Sequence, residues 1–486
     1  MSDWGAIQSD LHAILPILVL WAAAAVVLLG DVSLWRRGAK GMNVAVTVVG
    51  VLLAASFALD RSMRIGDPSA FLGVLNVDGL AMVGALAVLL ATLLASLLSA
   101  TYLRNRGLDH GEFYALVLLS ASGAVLMCCA ADLVVLFLGL ELMSFGLYVL
   151  AGFARDELRS EEASIKYFLL GAFASAFLLY GVALLYGASR TTSLVGVAGA
   201  LAQPQAQTAM AFAGLAMLLV GLGFKAALVP FHQWAPDVYE GAPTSATAYM
   251  AGAAKVAAFV AILRVLDTLV PLRAGWLPGV QTLAVLSMVF GNLLAVSQKN
   301  VKRMLAYSSV AHAGYLLVAV AVIGTARTQA VDAALFYLFA YTFMTLGAFG
   351  VLVYLSGRGR DYQRLSDLRG LAHHDPMAAY TMLFFMLSLG GVPPTMGFIA
   401  KWQIFMAAIA GEQVGLAVVM ALTSVMAAYY YLRVVWVMFF EEATGEAPAR
   451  PARQTAAGVS VLLAAAATLV LGVAPGLLTS ITALGR

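Results

Sequence analysis

Residues 207–230 read QTAMAFAGLAMLLVGLGFKAALVP, and residues 231–244 continue FHQWAPDVYEGAPT. The first run is long and apolar enough to cross a bilayer, which takes about 20 such residues. It carries one charge, Lys225, and ends in Pro230, with Pro236 shortly after. An interior proline removes a backbone hydrogen bond and clashes with the preceding turn. Interrupted backbone persists at membrane depth only where it is buried in protein or lines a wet cavity. A lone lysine beside such a break therefore marks a polar path inside a membrane protein.

The rest of the chain agrees. Of its 486 residues, 62% are hydrophobic and only 11% charged, with a mean hydropathy of +0.92. Soluble chains carry about 25% charged residues. The composition excludes a soluble enzyme, a disordered protein and a nucleic-acid-binding module, and a net charge of +3 is too small to mark a polyanion partner. The two cysteines, Cys128 and Cys129, are adjacent in an apolar run, which excludes a disulfide scaffold and a cysteine-ligated metal or iron–sulfur site. His12, His110, His232, His312, His373 and His374 show no metal-ligand spacing.

Fourteen stretches qualify as spans, numbered here as helices 1–14: 11–30, 42–59, 79–101, 113–130, 132–153, 162–187, 207–230, 244–266, 276–298, 303–323, 330–356, 377–411, 414–440 and 456–481. The first is not expected to be a cleavable signal, because Arg36, Arg37 and Lys40 follow its apolar run while Asp3 and Asp10 precede it. Loops after odd-numbered helices hold 16 Lys and Arg, against 6 on the opposite side. The positive-inside rule puts the first set in the cytoplasm and both termini in the periplasm. Trp4, Trp35 and Trp276 fall at span ends, where interfacial anchors belong.

Six basic residues remain within spans: Lys166, Lys225, Lys255, Arg264, Lys401 and Arg433. Among the acids only Glu141 lies near the middle of one, with Asp132 and Asp332 at helix starts. Glu141 and the four lysines together cost on the order of 15 kcal/mol to insert. Arg264, near a helix end, suits snorkelling. Lys166 is four residues into its span and can snorkel too, whereas Lys225, Lys255 and Lys401 point to proton transfer. Burial lowers a lysine's proton affinity and a nearby carboxylate raises it, so a Glu–Lys pair that opens and closes can switch the next group along. Sequence order places Glu141 and Lys166 on consecutive helices, in direct or water-bridged reach. Arg433 either meets a neighbouring subunit's carboxylate or reaches the nearer interface.

The second broken segment is GGVPPTMGFIAKW (390–402), so 377–411 is one interrupted helix beside Lys401. Helices 4–8 carry the first break in their fourth member and helices 9–13 the second in theirs. Five is odd, so the second set enters the membrane from the opposite side, an inverted repeat. The expected divisions are 1–112 (three leading helices), 113–270 and 271–441 (the two repeats) and 442–486 (a final helix). His312, among hydroxyls in YSSVAHAGY (307–315), is a candidate relay.

The segments LGLELMSFGLYVLAG (138–152), EASIKYFLLGAFASAFLLYGVALLYG (162–187), GFKAALVPFHQWAPDVYEGAPT (223–244), KRMLAYSSVAHAGY (302–315) and GGVPPTMGFIAKW (390–402) resemble the N-type antiporter-like subunits of bacterial respiratory complex I, the proton-pumping NADH:quinone oxidoreductase. The resemblance spans nearly the whole chain. It implies an all-α polytopic fold of fourteen transmembrane helices, broken at helices 7 and 12, in the bacterial inner membrane. It implies that Glu141 pairs with Lys225, the pumping lysine, and that Lys166, Lys255 and Lys401 continue a hydrated axis across mid-membrane. It implies no cofactor in this chain, with NADH, FMN, iron–sulfur clusters and quinone bound by other subunits. The implied partners are an M-type antiporter-like subunit, a small K-type subunit, the hydrophilic arm and membrane lipids. Subunits of multi-subunit cation/proton antiporters and membrane-bound hydrogenases share this plan; the motif around Lys166 and PPTMGFIAKW favour the N type.

Overall fold

A computed structural model describes residues 3–33, 35, 41–63, 68–203, 207–356, 361–442 and 454–485. Arg36, Arg37 and Lys40 lie outside the described residues, as does the side chain of Trp4. Among the described residues, thirteen helices are long and apolar enough to cross a membrane. The remaining stretch, helix 12, is the interrupted one, divided into Pro376–Gly390 (12a) and Met396–Ala410 (12b). Helix 7 is likewise divided, into Thr208–Ala226 (7a) and the short Trp234–Gly241 (7b).

Burial sorts the helices. Helix 8 (Thr244–Thr268) is wholly enclosed, and helices 10 (Val301–Ala321) and 11 (Ile323–Leu355) nearly so. Helices 1 (Leu15–Ser33), 2 (Gly41–Met63), 6 (Leu158–Ser189), 13 (Val414–Phe440) and 14 (Thr455–Val473) turn most of their surface outward. Helix 3 (Gly79–Arg106) and helix 4 (Gly111–Cys129) are intermediate. A helix apolar all round belongs in a bundle interior or against lipid.

Small residues set the closest approaches. A Cβ on Gly123 of helix 4 would come within 2.3 Å of the Met143 nitrogen on helix 5 (Leu133–Ala151). A Cβ on Gly291 of helix 9 (Arg273–Val296) would come within 2.6 Å of the Ala311 nitrogen on helix 10. Helix starts are capped in matching ways. The Asp132 carboxylate accepts from Val134 N at 2.8 Å, and Asn300 accepts from Arg303 N at 3.1 Å. Each cap also forms a one-residue bridge to the loop after the next helix, Asp132 with Ser193 and Asn300 with Arg364.

Several expectations change here. Arg264 does not snorkel: it is buried and grips Asp78, the cap of helix 3, at 2.7 and 3.0 Å. Trp276 is 4% exposed and donates to the Leu269 carbonyl at 2.9 Å, so it is a packing residue rather than a lipid anchor. Arg433 donates to the Val296 and Gln298 carbonyls at 3.1 and 3.4 Å, binding the end of helix 9. Asp332 lies inside helix 11, which begins at Ile323 and kinks at Ala326.

Candidate functional site

The break in helix 7 frees backbone groups, and the fold uses them again. Ala227 takes a left-handed φ of +58°, and Leu228 N returns to the Gly223 carbonyl at 2.8 Å. Val229 N donates to Ser287 of helix 9 at 3.0 Å. Lys225 therefore stands in the last turn of helix 7a, where the helix dipole favours a cation. Its ammonium is buried between the rings of Tyr148 and Tyr167, each 4.8 Å from the nitrogen, and donates to the Tyr148 hydroxyl at 3.3 Å. Trp234 of helix 7b stacks on Tyr167 at 4.4 Å and closes this aromatic cage.

Glu141 lies two helical turns before Tyr148 on the same face of helix 5. Its carboxylate accepts from the Ser175 hydroxyl of helix 6. Among the described residues it makes no ion pair. Lys166 is not its partner: Lys166 pairs with Glu162 at 2.7 Å and Asp237 at 2.8 Å, and its side chain is 42% exposed. Asp237 also meets Arg303 at 2.6 Å, which reaches Glu240 at 3.2 Å. Lys166 thus belongs to a charge network on the side of the molecule that carries the basic loops.

Lys255 follows a π-helical segment, Met250–Ala254, inside helix 8. Its ammonium donates to both the carbonyl and the hydroxyl of Ser309 and lies 5.0 Å from the Tyr341 ring centroid. Helix 10 carries the contacts onward. Ser308 bonds to the Tyr431 hydroxyl of helix 13, which lies 3.1 Å from His312 Nε2. The other His312 nitrogen, Nδ1, is 2.6 Å from the Tyr337 hydroxyl. A parallel line runs from Tyr430 to Asn292 at 3.0 Å and from Asn292 to Tyr315 at 3.2 Å. The Tyr315 ring lies 5.2 Å from the Lys401 ammonium. Lys401 reaches back across the second break to donate to the Gly390 carbonyl at 2.9 Å, at the C-terminus of helix 12a.

The fold thus brings Lys255, His312 and Lys401 into one buried hydroxyl-rich zone. It sets Lys225 against Tyr148, two turns along helix 5 from Glu141, and leaves Lys166 at the rim. Sequence reading singled out His312 and the hydroxyls beside it but missed Tyr148, Tyr337 and Tyr431. Ser308, His312 and Tyr315 recur at helical spacing on one face of helix 10, the one signal that could have found part of the network.

Two further charges also escaped it. Lys302, assigned from sequence to a loop, is fully buried at the start of helix 10 and donates to the Ala242 carbonyl at 2.6 Å. Asp361 accepts from Arg106 at 2.5 Å and from Tyr102 at 2.9 Å, and Tyr102 accepts from Thr244 N, at the start of helix 8, at 3.1 Å. Burial raises the proton affinity of the Asp361 carboxyl, but Arg106, Lys302 and the Tyr102 hydrogen bond outweigh it and hold the group below the usual carboxylate range. A polar cavity of about 630 Å³ lies against this cluster, lined by Asn105, Arg106, Glu157 and Asp361 among others. Among the described residues, no group of three or more His, Cys, Asp or Glu side chains is placed to hold a metal ion.

Comparison with known proteins agrees with this architecture. The family described as "NADH:quinone oxidoreductase/Mrp antiporter, TM" matches residues 130–427. NADH-quinone oxidoreductase subunit N 1 of Sorangium cellulosum (strain So ce56) is 49% identical over 79% of this chain and 77% of its own length. Subunit N of Chloroflexus aggregans (strain MD-66 / DSM 9485) is 42% identical over 96% and 95%. A chain of respiratory complex I from Thermus thermophilus, solved with bound aureothin, superposes with a TM-score of 0.80 at 36% identity, covering 97% of this chain and all of that one. The chain belongs to the NADH:quinone oxidoreductase/Mrp antiporter family of membrane proteins, on its subunit N branch.

Proposed function

We propose that this chain is a proton-translocating membrane-arm subunit of a bacterial NADH:quinone oxidoreductase. The observation that carries the reading is the buried succession of protonatable groups, with a lysine at each of the two helix breaks. In this reading Glu141, Lys225, Lys255 and Lys401 change charge in turn, His312 relays between Lys255 and Lys401, and Lys166 serves the entrance. Quinone reduction elsewhere in the complex drives the cycle. Each cycle takes a proton from the cytoplasm, the side of the basic loops, and releases it to the periplasm, where both termini lie. NADH, FMN, iron–sulfur clusters and quinone belong to other subunits. The neighbours are an M-type antiporter-like subunit, a small K-type subunit and the hydrophilic arm.

We also read residues 113–270 and 271–441 as inverted repeats. Gly123 and Gly291, Asp132 and Asn300, Glu141 and Ser309, and Gly146 and Gly314 are each separated by the same 168 positions. The two caps of this set form the same bridge to the loop after the next helix. In that register Ser309, which holds Lys255, stands where the first repeat has Glu141.

A cation/proton antiporter or membrane-bound hydrogenase subunit is the rival reading; co-isolation with only small hydrophobic subunits, without flavin and iron–sulfur subunits, supports it. The decisive measurement is proton pumping by assembled complex carrying Lys225→Ala or Lys255→Ala. Loss of coupled pumping is expected, and intact pumping in an assembled variant leaves this chain a scaffold.

A further inference from the structure

On the side of the basic loops, a second cavity of about 560 Å³ lies between the helix 9–10 turn and the end of helix 13. Five basic side chains line it, Arg159, Lys299, Arg364, Arg369 and Arg433, against two acids, Glu240 and Glu441. Both acids already have partners: Glu441 meets Arg369 at 2.7 Å and Glu240 meets Arg303 at 3.2 Å. Arg433 is occupied with the last carbonyls of helix 9. Arg159, Lys299 and Arg364 are exposed and form no ion pair with a described residue. The pocket therefore holds a surplus of positive charge.

Its surroundings are apolar. Leu365 and Val437 are buried lining residues. Beside them the outer face of helix 13 exposes Leu432, Trp436 and Phe440, the last two stacked at 4.8 Å, and helix 9 exposes Phe290 and Leu293. A small inorganic anion would satisfy the charges but leave this wall unused. An anionic amphiphile fits both parts, and basic pockets between helices on the cytoplasmic side are suited to lipid headgroups.

We propose that this pocket seats the phosphate of an anionic glycerophospholipid, with Lys299, Arg364 and Arg159 around the headgroup and the acyl chains along helices 9 and 13. The charge complementarity carries the assignment, together with the adjacency on helix 13 of the lining residues Arg433 and Val437 to the outward-facing Leu432, Trp436 and Phe440. The pocket borders the Lys166 network through Glu240, but its test reads lipid labelling rather than pumping and so stands or falls without the proposed proton path.

The test uses the purified, assembled complex and a photoreactive phosphatidylglycerol in mixed micelles. The label is expected on peptides spanning 287–300 and 430–441. In Lys299→Gln/Arg364→Gln it should fall about tenfold or more, as expected for two juxtamembrane charges. Lys299→Arg should retain it, and Arg190→Gln on the opposite side should not change it. Excess phosphatidylglycerol should compete, while phosphatidylcholine and millimolar inorganic phosphate should not. Unchanged labelling in the double variant, equal competition by phosphatidylcholine, displacement by phosphate alone, or protection by an acidic partner segment would each overturn the proposal.

Discussion

Helices 7 and 12 are both interrupted beside a buried lysine, yet they hold it by opposite means. Lys225 precedes its break and is clasped by aromatic faces, with a single hydroxyl in reach. Lys401 follows its break and turns back onto a carbonyl, next to a zone filled with tyrosine, serine, asparagine and histidine. An aromatic face steadies a cation but offers no lone pair for a proton to travel along. Chains of hydroxyls and imidazole can donate and accept in turn. Under the proposed function, the first half would switch a charge near an acid, and the second would pass a proton between two lysines.

Of the two hydroxyl variants, Tyr431→Phe should have the larger effect. It removes one hydroxyl and strands two buried partners, Ser308 and His312. With the hydroxyl bridge between Ser308 and His312 broken, coupled pumping in vesicles should fall by roughly one to two orders of magnitude, about 1.4–2.7 kcal/mol of barrier. Tyr148→Phe should do less. It keeps the ring that faces Lys225 and loses one hydrogen bond of 3.3 Å, so a drop of about two- to tenfold is expected. Equal losses in the two variants would erase the distinction between the halves.

Asp361→Asn sharpens the comparison from outside, because Asp361 anchors helix 3 and its neighbours rather than conducting. Its carboxyl titrates below the usual range, so its stabilisation is complete above the ordinary carboxylate value of about 4 and is lost as pH falls through the depressed folded value. Thermal unfolding should show the variant less stable by about 1–3 kcal/mol between pH 5 and 8. The two proteins should converge in stronger acid, with pumping at neutral pH nearly unchanged. A large pumping defect would place Asp361 on the proton route instead.

What could be read from the sequence follows from what is rare in a membrane. A lysine or glutamate inside an apolar run stands out because its insertion is costly, so Glu141, Lys225, Lys255 and Lys401 were visible as residues. Proline and glycine exposed both breaks for a similar reason. Tyrosine and serine are at home in apolar helices, so Tyr148, Tyr337 and Tyr431 carried no signal until packing brought them to Lys225 and His312. Charges near helix ends misled in both directions: Lys302 passed for a loop residue and is buried, while Arg264 passed for a snorkelling residue and is paired with Asp78. Lys166 shows a further limit. Adjacent helices suggested Glu141, but the far half of broken helix 7 brought Asp237 closer.

The π-helical turn Met250–Ala254 amounts to one residue more than an α-helix of the same rise needs. Each α-helical residue turns the chain by about 100°. The wide turn absorbs its surplus residue locally, so deleting one residue there would leave the two ends of helix 8 close to their present phase. Adding one residue to the regular helix between Thr244 and Tyr249 has no such absorber: with that end of helix 8 held in place, it would rotate Lys255 away from Ser309 by about that angle. The most enclosed helix thus carries one residue more than its length requires while keeping its lysine aimed at helix 10.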